Sequence, residues 1–102
     1  MKFERTDRFK TDWQRLVPGE RARFRAAVRR FHAAAVAYRR DPRAGWPDSL
    51  RVRPMTSAPG VWEMTWSFAG PDGRATFEWI DVGREPAVRW RHLGGHTIFR
   101  DP

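Results

Sequence analysis

The segment GVWEMTWSFAGPDGRATFEWI, residues 60 to 80, alternates large apolar with polar side chains on both sides of a turn. Trp62, Met64, Trp66 and Phe68 share one parity, and Glu63, Thr65 and Ser67 share the other. Beyond AGPDG, Ala75, Phe77 and Trp79 alternate with Arg74, Thr76 and Glu78. Successive side chains of a strand point to opposite faces of a sheet, so the pattern dictates two adjacent amphipathic strands. GPDG carries the residue types of a turn between them. Whatever the rest of the chain does, it must cover the apolar face and leave a role for the other one.

Two further strands carry the same alternation. In LRVRPM, Leu50 and Val52 alternate with Arg51 and Arg53; in AVRWRHL, Val88, Trp90 and His92 alternate with Arg89, Arg91 and Leu93. Upstream, KFERT reads as a short strand and DRFKTDWQRL as a short helix, with Phe9, Trp13 and Leu16 at helical spacing. Pro18 opens a longer helix, Glu20 suits the positive end of its dipole, and the DP at 41 and 42 stops it. Phe24, Val28, Phe31, Ala35 and Tyr38 form one stripe on that helix facing a core. Arg21, Arg25, Arg29, Arg30 and His32 lie off the stripe and read as a solvated face. RAGWPDS is a loop. The order is strand, two helices, four strands: an α+β fold with a largely antiparallel meander at its end.

At 102 residues the chain is expected to form one domain, residues 1 to 102, with a single core built on six Trp and seven Phe. Cysteine is absent, which removes disulfides and thiolate metal sites. No apolar run approaches signal-peptide length or the roughly 20 residues of a membrane span. The expected location is therefore cytoplasmic, with no membrane partner. Net charge is +8, which favours a polyanionic partner such as nucleic acid or a ribosome. Only Lys2 and Lys10 among the 20 basic residues are lysine. GC-rich coding alone produces such a skew, but not the total charge.

The helices need an apolar surface, so the apolar parities of the four late strands share a face. Period two then places Arg51, Arg53, Glu63, Thr65, Ser67, Arg74, Thr76, Glu78, Arg89 and Arg91 on the other. Such a face is either a solvated sheet surface laced with Arg to Glu pairs or a phosphate-binding surface, to which arginine's planar fork is suited.

These residues resemble the RelE/ParE superfamily of type II toxin–antitoxin toxins over nearly the whole chain. The local signatures are LVPGERARF at the second helix, DPRAGWPDSLRV before the second strand, VWEMTWSF, GRATFEW and VRWRHLGGHTIFRDP. GRATF looks like the family's arginine three residues before an aromatic, and WPDSLR looks like its Pro, variable pair, Leu, basic residue. The resemblance implies a RelE-like fold, in which an N-terminal strand and a two-helix hairpin pack on a mainly antiparallel four-stranded sheet. It also implies a cognate antitoxin. Many members are endoribonucleases that cut messenger RNA on the ribosome; the ParE branch inhibits DNA gyrase instead.

By position, the resemblance matches Arg74 to the arginine that stabilises the scissile phosphate, and Arg51 and Arg53 to residues that hold the RNA backbone. Asp48 falls where YoeB-like members have a glutamate general base, and is one methylene shorter. His96 and His92 fall where the family has an acid or stacking residue. The chain departs from the pattern in lacking a C-terminal Tyr and in its WRHLGGH spacing.

Metal-independent RNA cleavage needs a base for the 2′-hydroxyl, charge stabilisation at phosphorus and an acid for the 5′-oxygen. The candidates are Asp48, Glu63 or His96 as base, Arg74 with Arg53 and Arg51 as stabilisers, and His96 or His92 as acid; Arg89 and Arg91 add to the RNA-binding face. His92 shares parity with Trp90, which also makes it a candidate core residue, and Glu63 is a candidate partner of Arg74. No metal-ligand spacing, phosphate-loop glycine pattern or nucleophile elbow occurs, so no metal or cofactor is expected. The expected function is a ribosome-dependent messenger RNA endonuclease, with a gyrase inhibitor or a non-catalytic nucleic-acid-binding domain as alternatives.

Overall fold

The first strand, β1 (Lys2–Arg5), turns directly into α1 (Asp7–Arg15) at Thr6, whose side-chain oxygen accepts the Phe9 N–H at 3.1 Å. This cap satisfies one of the N–H groups that every helix start leaves unpaired. The second helix, α2 (Pro18–Arg40), begins with proline, and the Glu20 carboxylate reaches back to accept the Val17 N–H at 3.0 Å. Arg21 donates to the carbonyls of Trp13 and Gln14 and so closes the end of α1, while the Arg25 guanidinium lies over the Trp13 ring. Arg30 donates to Ser49. Three of the helix arginines expected to be merely solvated, Arg21, Arg25 and Arg30, thus help to fix the hairpin and the loop after it.

The computed structural model describes residues 1–66, 73–95 and 102. After α2 come two 3-10 turns, Pro42–Ala44 and Asp48–Leu50, and then β2 (Arg53–Pro54), β3 (Trp62–Thr65), β4 (Arg74–Val82) and β5 (Glu85–Gly94). The sheet order is β1-β5-β4-β3-β2, with β1 parallel to β5 and every other pair antiparallel. The expected α+β architecture is found, with β1 as a fifth strand on the edge of the four-stranded meander. Among the described residues no helix is long and apolar enough to cross a membrane.

The core lies between the helices and one face of the sheet. Trp62, Phe77 and Trp90 stand in register across β3, β4 and β5. Phe31 of α2 is fully buried against Phe77 and Trp90, with ring centroids 5.0 Å away in each case, and stacks on Trp46 at 5.4 Å. Aromatic pairs at these distances add attraction beyond their buried area. Gly73, the last residue of the turn motif, lies against the Trp66 ring: a Cβ there would come within 2.2 Å of it.

Two sequence expectations are corrected. The strand expected at LRVRPM is only Arg53–Pro54, because Asp48–Leu50 coils into a 3-10 turn and Arg51 follows at φ 47, in the left-handed region. Leu50 is still fully buried, but from the turn rather than from a strand. In β5 the alternation slips: Thr76 pairs with His92 but Phe77 with Trp90, which leaves Arg91 as the extra residue of a bulge. Beyond the bulge the faces exchange, so Leu93 enters the core at 3% exposure and His92 leaves the parity of Trp90.

Arginine at positive φ is strained by roughly 1 to 2 kcal/mol, and glycine is not. Arg51→Gly is therefore expected to raise the urea midpoint by an amount equivalent to about 0.5 kcal/mol or more, once glycine's greater freedom in the unfolded chain is subtracted. An equal or lower midpoint at unchanged m-value would show that the Arg51 side chain makes up for its own strain.

Candidate functional site

The hydrogen-bonded registers build a row across the polar face. Arg53 on β2 stands opposite Glu63 on β3, Glu63 opposite Thr76 on β4, and Thr76 opposite His92 on β5. Neighbours in such a row are about 5 Å apart at Cα, which puts Glu63 and His92 roughly 10 Å apart with Thr76 between them. The next row holds Thr65, Arg74 and Gly94. Arg74 and Thr76 lie two residues apart on one strand and so share a face. A carboxylate, a hydroxyl, a guanidinium and an imidazole are gathered there by pairing alone.

The middle of this face is not the open surface expected from the alternation. Glu63, Thr65, Arg74 and Thr76 are 7%, 3%, 9% and 0% exposed. Thr76 Oγ1 donates to the carbonyl oxygen of Pro102 at 2.9 Å, and Arg91 Nε donates to the same oxygen at 3.2 Å. Buried charged residues are rare because desolvation is costly, and they persist where a partner or a function holds them. Glu63 takes Arg53 as its ion-pair partner, rather than the Arg74 suggested by the sequence, since Arg53 is its register neighbour. The Arg53 side chain itself is 72% exposed.

The flank of the face is braced. Arg89 donates to Glu4 at 3.2 Å and to Glu78 at 3.0 Å, and Arg91 donates to the other oxygen of Glu78 at 3.0 Å. The Glu78 hydrogen bond, then the one from Glu4, pushes the Arg89 pKa above its ordinary value. These two arginines tie β1, β5 and β4 together as well as contributing positive charge.

Two hollows flank Arg53. One of about 460 Å³ is lined by Arg53, Pro54, Met55, Thr56, Ser57 and Glu63; the other, of about 290 Å³, is lined by Trp46, Pro47, Asp48, Arg51, Val52 and Arg53. Asp48 and Arg51 therefore belong to the rim beside Arg53, not to the row holding Glu63. His96 lies outside the described residues, as do Ser67 and Phe68.

His92 is the histidine the structure brings to the row, and its Nδ1 contacts Asp12 Oδ2 of α1. Asp12 is 7% exposed and also accepts the Leu93 N–H at 2.9 Å. Sequence reasoning missed it. The available signal was a carboxylate three residues after Phe9, on the side of α1 that also carries Trp13. Thr76 was placed on the face but not singled out. Among the described residues no three His, Cys, Asp or Glu side chains converge to hold a metal ion.

The chain is similar to one solved structure described as "YoeB/ParE toxin from Agrobacterium tumefaciens". The two are 16% identical and superpose with a TM-score of 0.56, over 94% of this chain and 99% of that one. No protein-family model and no curated protein matches the sequence. At this identity the likeness is one of fold: the element order expected from the RelE/ParE motifs is the fold of that toxin.

Proposed function

We propose that this chain is the toxin of a toxin–antitoxin pair and cuts messenger RNA on the ribosome. The observation supporting the reading is the row of Arg53, Glu63, Thr76 and His92 with Arg74 beside it. In this reaction the ribose 2′-oxygen attacks phosphorus and the bond from phosphorus to the 5′-oxygen breaks. The Glu63 carboxylate takes the 2′-hydroxyl proton, and the His92 imidazolium gives a proton to the departing oxygen. The products are a 2′,3′-cyclic phosphate and a 5′-hydroxyl. Thr76 lies between base and acid, and Arg74 stands two residues along the same strand beside them, where charge builds on the phosphoryl oxygens. Arg53, paired with Glu63 but with its side chain largely exposed, exchanges Glu63 for an incoming phosphate and frees the base. Asp48 and Arg51 extend the contact along the rim, and Arg89 and Arg91 hold the positive flank.

The net charge of +8 suits ribosomal RNA as well as the message. It also suits an acidic antitoxin. A groove of about 350 Å³ between β1 and the helices, apolar through Phe3, Phe9, Trp13, Phe24, Val28 and Trp90 and flanked by Arg5 and Arg25, fits an amphipathic segment with carboxylates at its edge.

Primer extension on purified translating ribosomes tests the reading. Wild-type protein is expected to create new 5′ ends at A-site codons, and Glu63→Gln to slow their appearance by about 100-fold or more. A message left intact at saturating wild-type protein defeats it.

A second reading, inhibition of DNA gyrase, is favoured by one observation: Glu63 is paired with Arg53, and Glu78 with Arg89 and Arg91, as a purely structural network would be. It requires loss of supercoiling activity with no RNA product.

A further inference from the structure

We infer that Asp12 is a positioning residue for His92: its carboxylate holds the imidazole as the Nδ1–H tautomer and leaves Nε2 to exchange a proton with a phosphodiester on the polar face. The chemical meaning of this inference rests on the ribonuclease reading; the location does not.

Three features converge on the one imidazole. First, β1 pairs with β5 only as far as Arg5 opposite Trp90, so the edge of β5 beyond Trp90 needs other partners. Thr6 supplies two, through its N–H to the Trp90 carbonyl at 3.0 Å and its hydroxyl to the Arg91 carbonyl at 2.7 Å. Asp12 supplies the third by accepting the Leu93 N–H. Any small acceptor would close that edge, and a neutral one at lower desolvation cost. The residue present is a carboxylate with 8% of its side chain exposed, and the same oxygen meets His92 Nδ1.

Second, the bulge at Arg91 is what turns His92 out of the core parity and into register with Thr76. Bulges re-aim side chains in this way, often beside active sites. Third, the His92 side chain is 18% exposed, sheltered but reachable. The neighbouring cation, Arg91, is occupied by Glu78 and the Pro102 carbonyl, so it does not draw Asp12 away. A buried carboxylate on one ring nitrogen fixes the tautomer and orientation of the ring and stabilises the imidazolium, which is how an imidazole is prepared for proton transfer at the other nitrogen.

The test compares wild type with Asp12→Asn by two readouts. Asn keeps an oxygen for the Leu93 N–H, and a backbone amide spectrum establishes that the variant is folded; Asp12→Ala, checked alike, removes the acceptor altogether. Ring nitrogen NMR is expected to show neutral His92 protonated at Nδ1 in wild type, with the Nε2–H form gaining population in Asp12→Asn. On translating ribosomes the same variant is expected to lose about 100-fold or more in kcat with KM unchanged. An unchanged tautomer in both variants overturns the inference, as does wild-type cleavage by either. Should the tautomer shift while wild-type protein cuts no RNA at all, the ribonuclease reading has failed: Asp12 still orients His92, but its catalytic meaning is overturned.

Discussion

Arg74→Lys is expected to cut no better than about one-hundredth of the wild-type rate on translating ribosomes, although it keeps the charge and most of the stem. Arg74 stands on β4 between Thr65 and Gly94 and two residues from Thr76, at 9% exposure. On the ribonuclease reading its guanidinium, one nitrogen of which donates to the Gly73 carbonyl at 3.3 Å, would address two phosphoryl oxygens at once, whereas an ammonium is a point charge that satisfies one. Removal of one preorganised donor from a developing oxyanion typically costs about 10² to 10³ in rate. The measurement is primer extension on the variant beside near-UV circular dichroism, since a buried arginine also packs. Native dichroism with wild-type cleavage would remove Arg74 from the chemistry and leave Arg53 as the phosphate ligand. Native dichroism with lost cleavage is the expected pair.

What the sequence made legible was the alternation, and with it the faces. Glu63, Arg74, Thr76 and Glu78 share a face because β3 and β4 are regular where they pair. The apolar stripe of α2 was equally readable, because its spacing has no interruption between Phe24 and Tyr38. Two things broke the pattern, and each left a trace. Leu93 falls on the polar parity of AVRWRHL, and a large apolar residue out of phase is the mark of a bulge; read so, it would have moved His92 from the core to the row. At Arg51 the proline-bearing segment on either side, Pro47 and Pro54, limits how much of LRVRPM can pair.

The burial of Thr76 was not legible, because its hydroxyl meets the Pro102 oxygen, 26 residues away in the chain. Asp12 was hidden for a related reason. Its partners, His92 and Leu93, lie 80 and 81 residues away, and no local period connects a helix carboxylate with a strand edge. The resemblance to RelE/ParE toxins supplied the fold through short motifs and matched Asp48 to one position for a base, and Asp48 lines a hollow with Arg51 and Arg53. The carboxylate that register sets in the row of His92, on the far side of Thr76, is Glu63.

The row also depends on the other face of the same strands, and Phe31→Ala exposes that dependence. Phe31 is fully buried, and its ring touches those of Trp46, Phe77 and Trp90. Truncation of such a side chain removes its transfer energy and leaves a cavity, at about 3 to 5 kcal/mol. A domain of this size has on the order of 5 to 15 kcal/mol in all. A urea titration followed by tryptophan fluorescence is therefore expected to show a large fall in midpoint, with Trp46 reporting the loss of its stacking partner. Phe77 adjoins Thr76 and Trp90 adjoins Arg91, so a loosened core reaches the polar row through the backbone of β4 and β5. Cleavage should fall in step with the folded fraction, and should recover under conditions that restore it. An unchanged midpoint would mean that the aromatic cluster closes over the gap, and that Phe31 does not anchor the sheet on which the row is built.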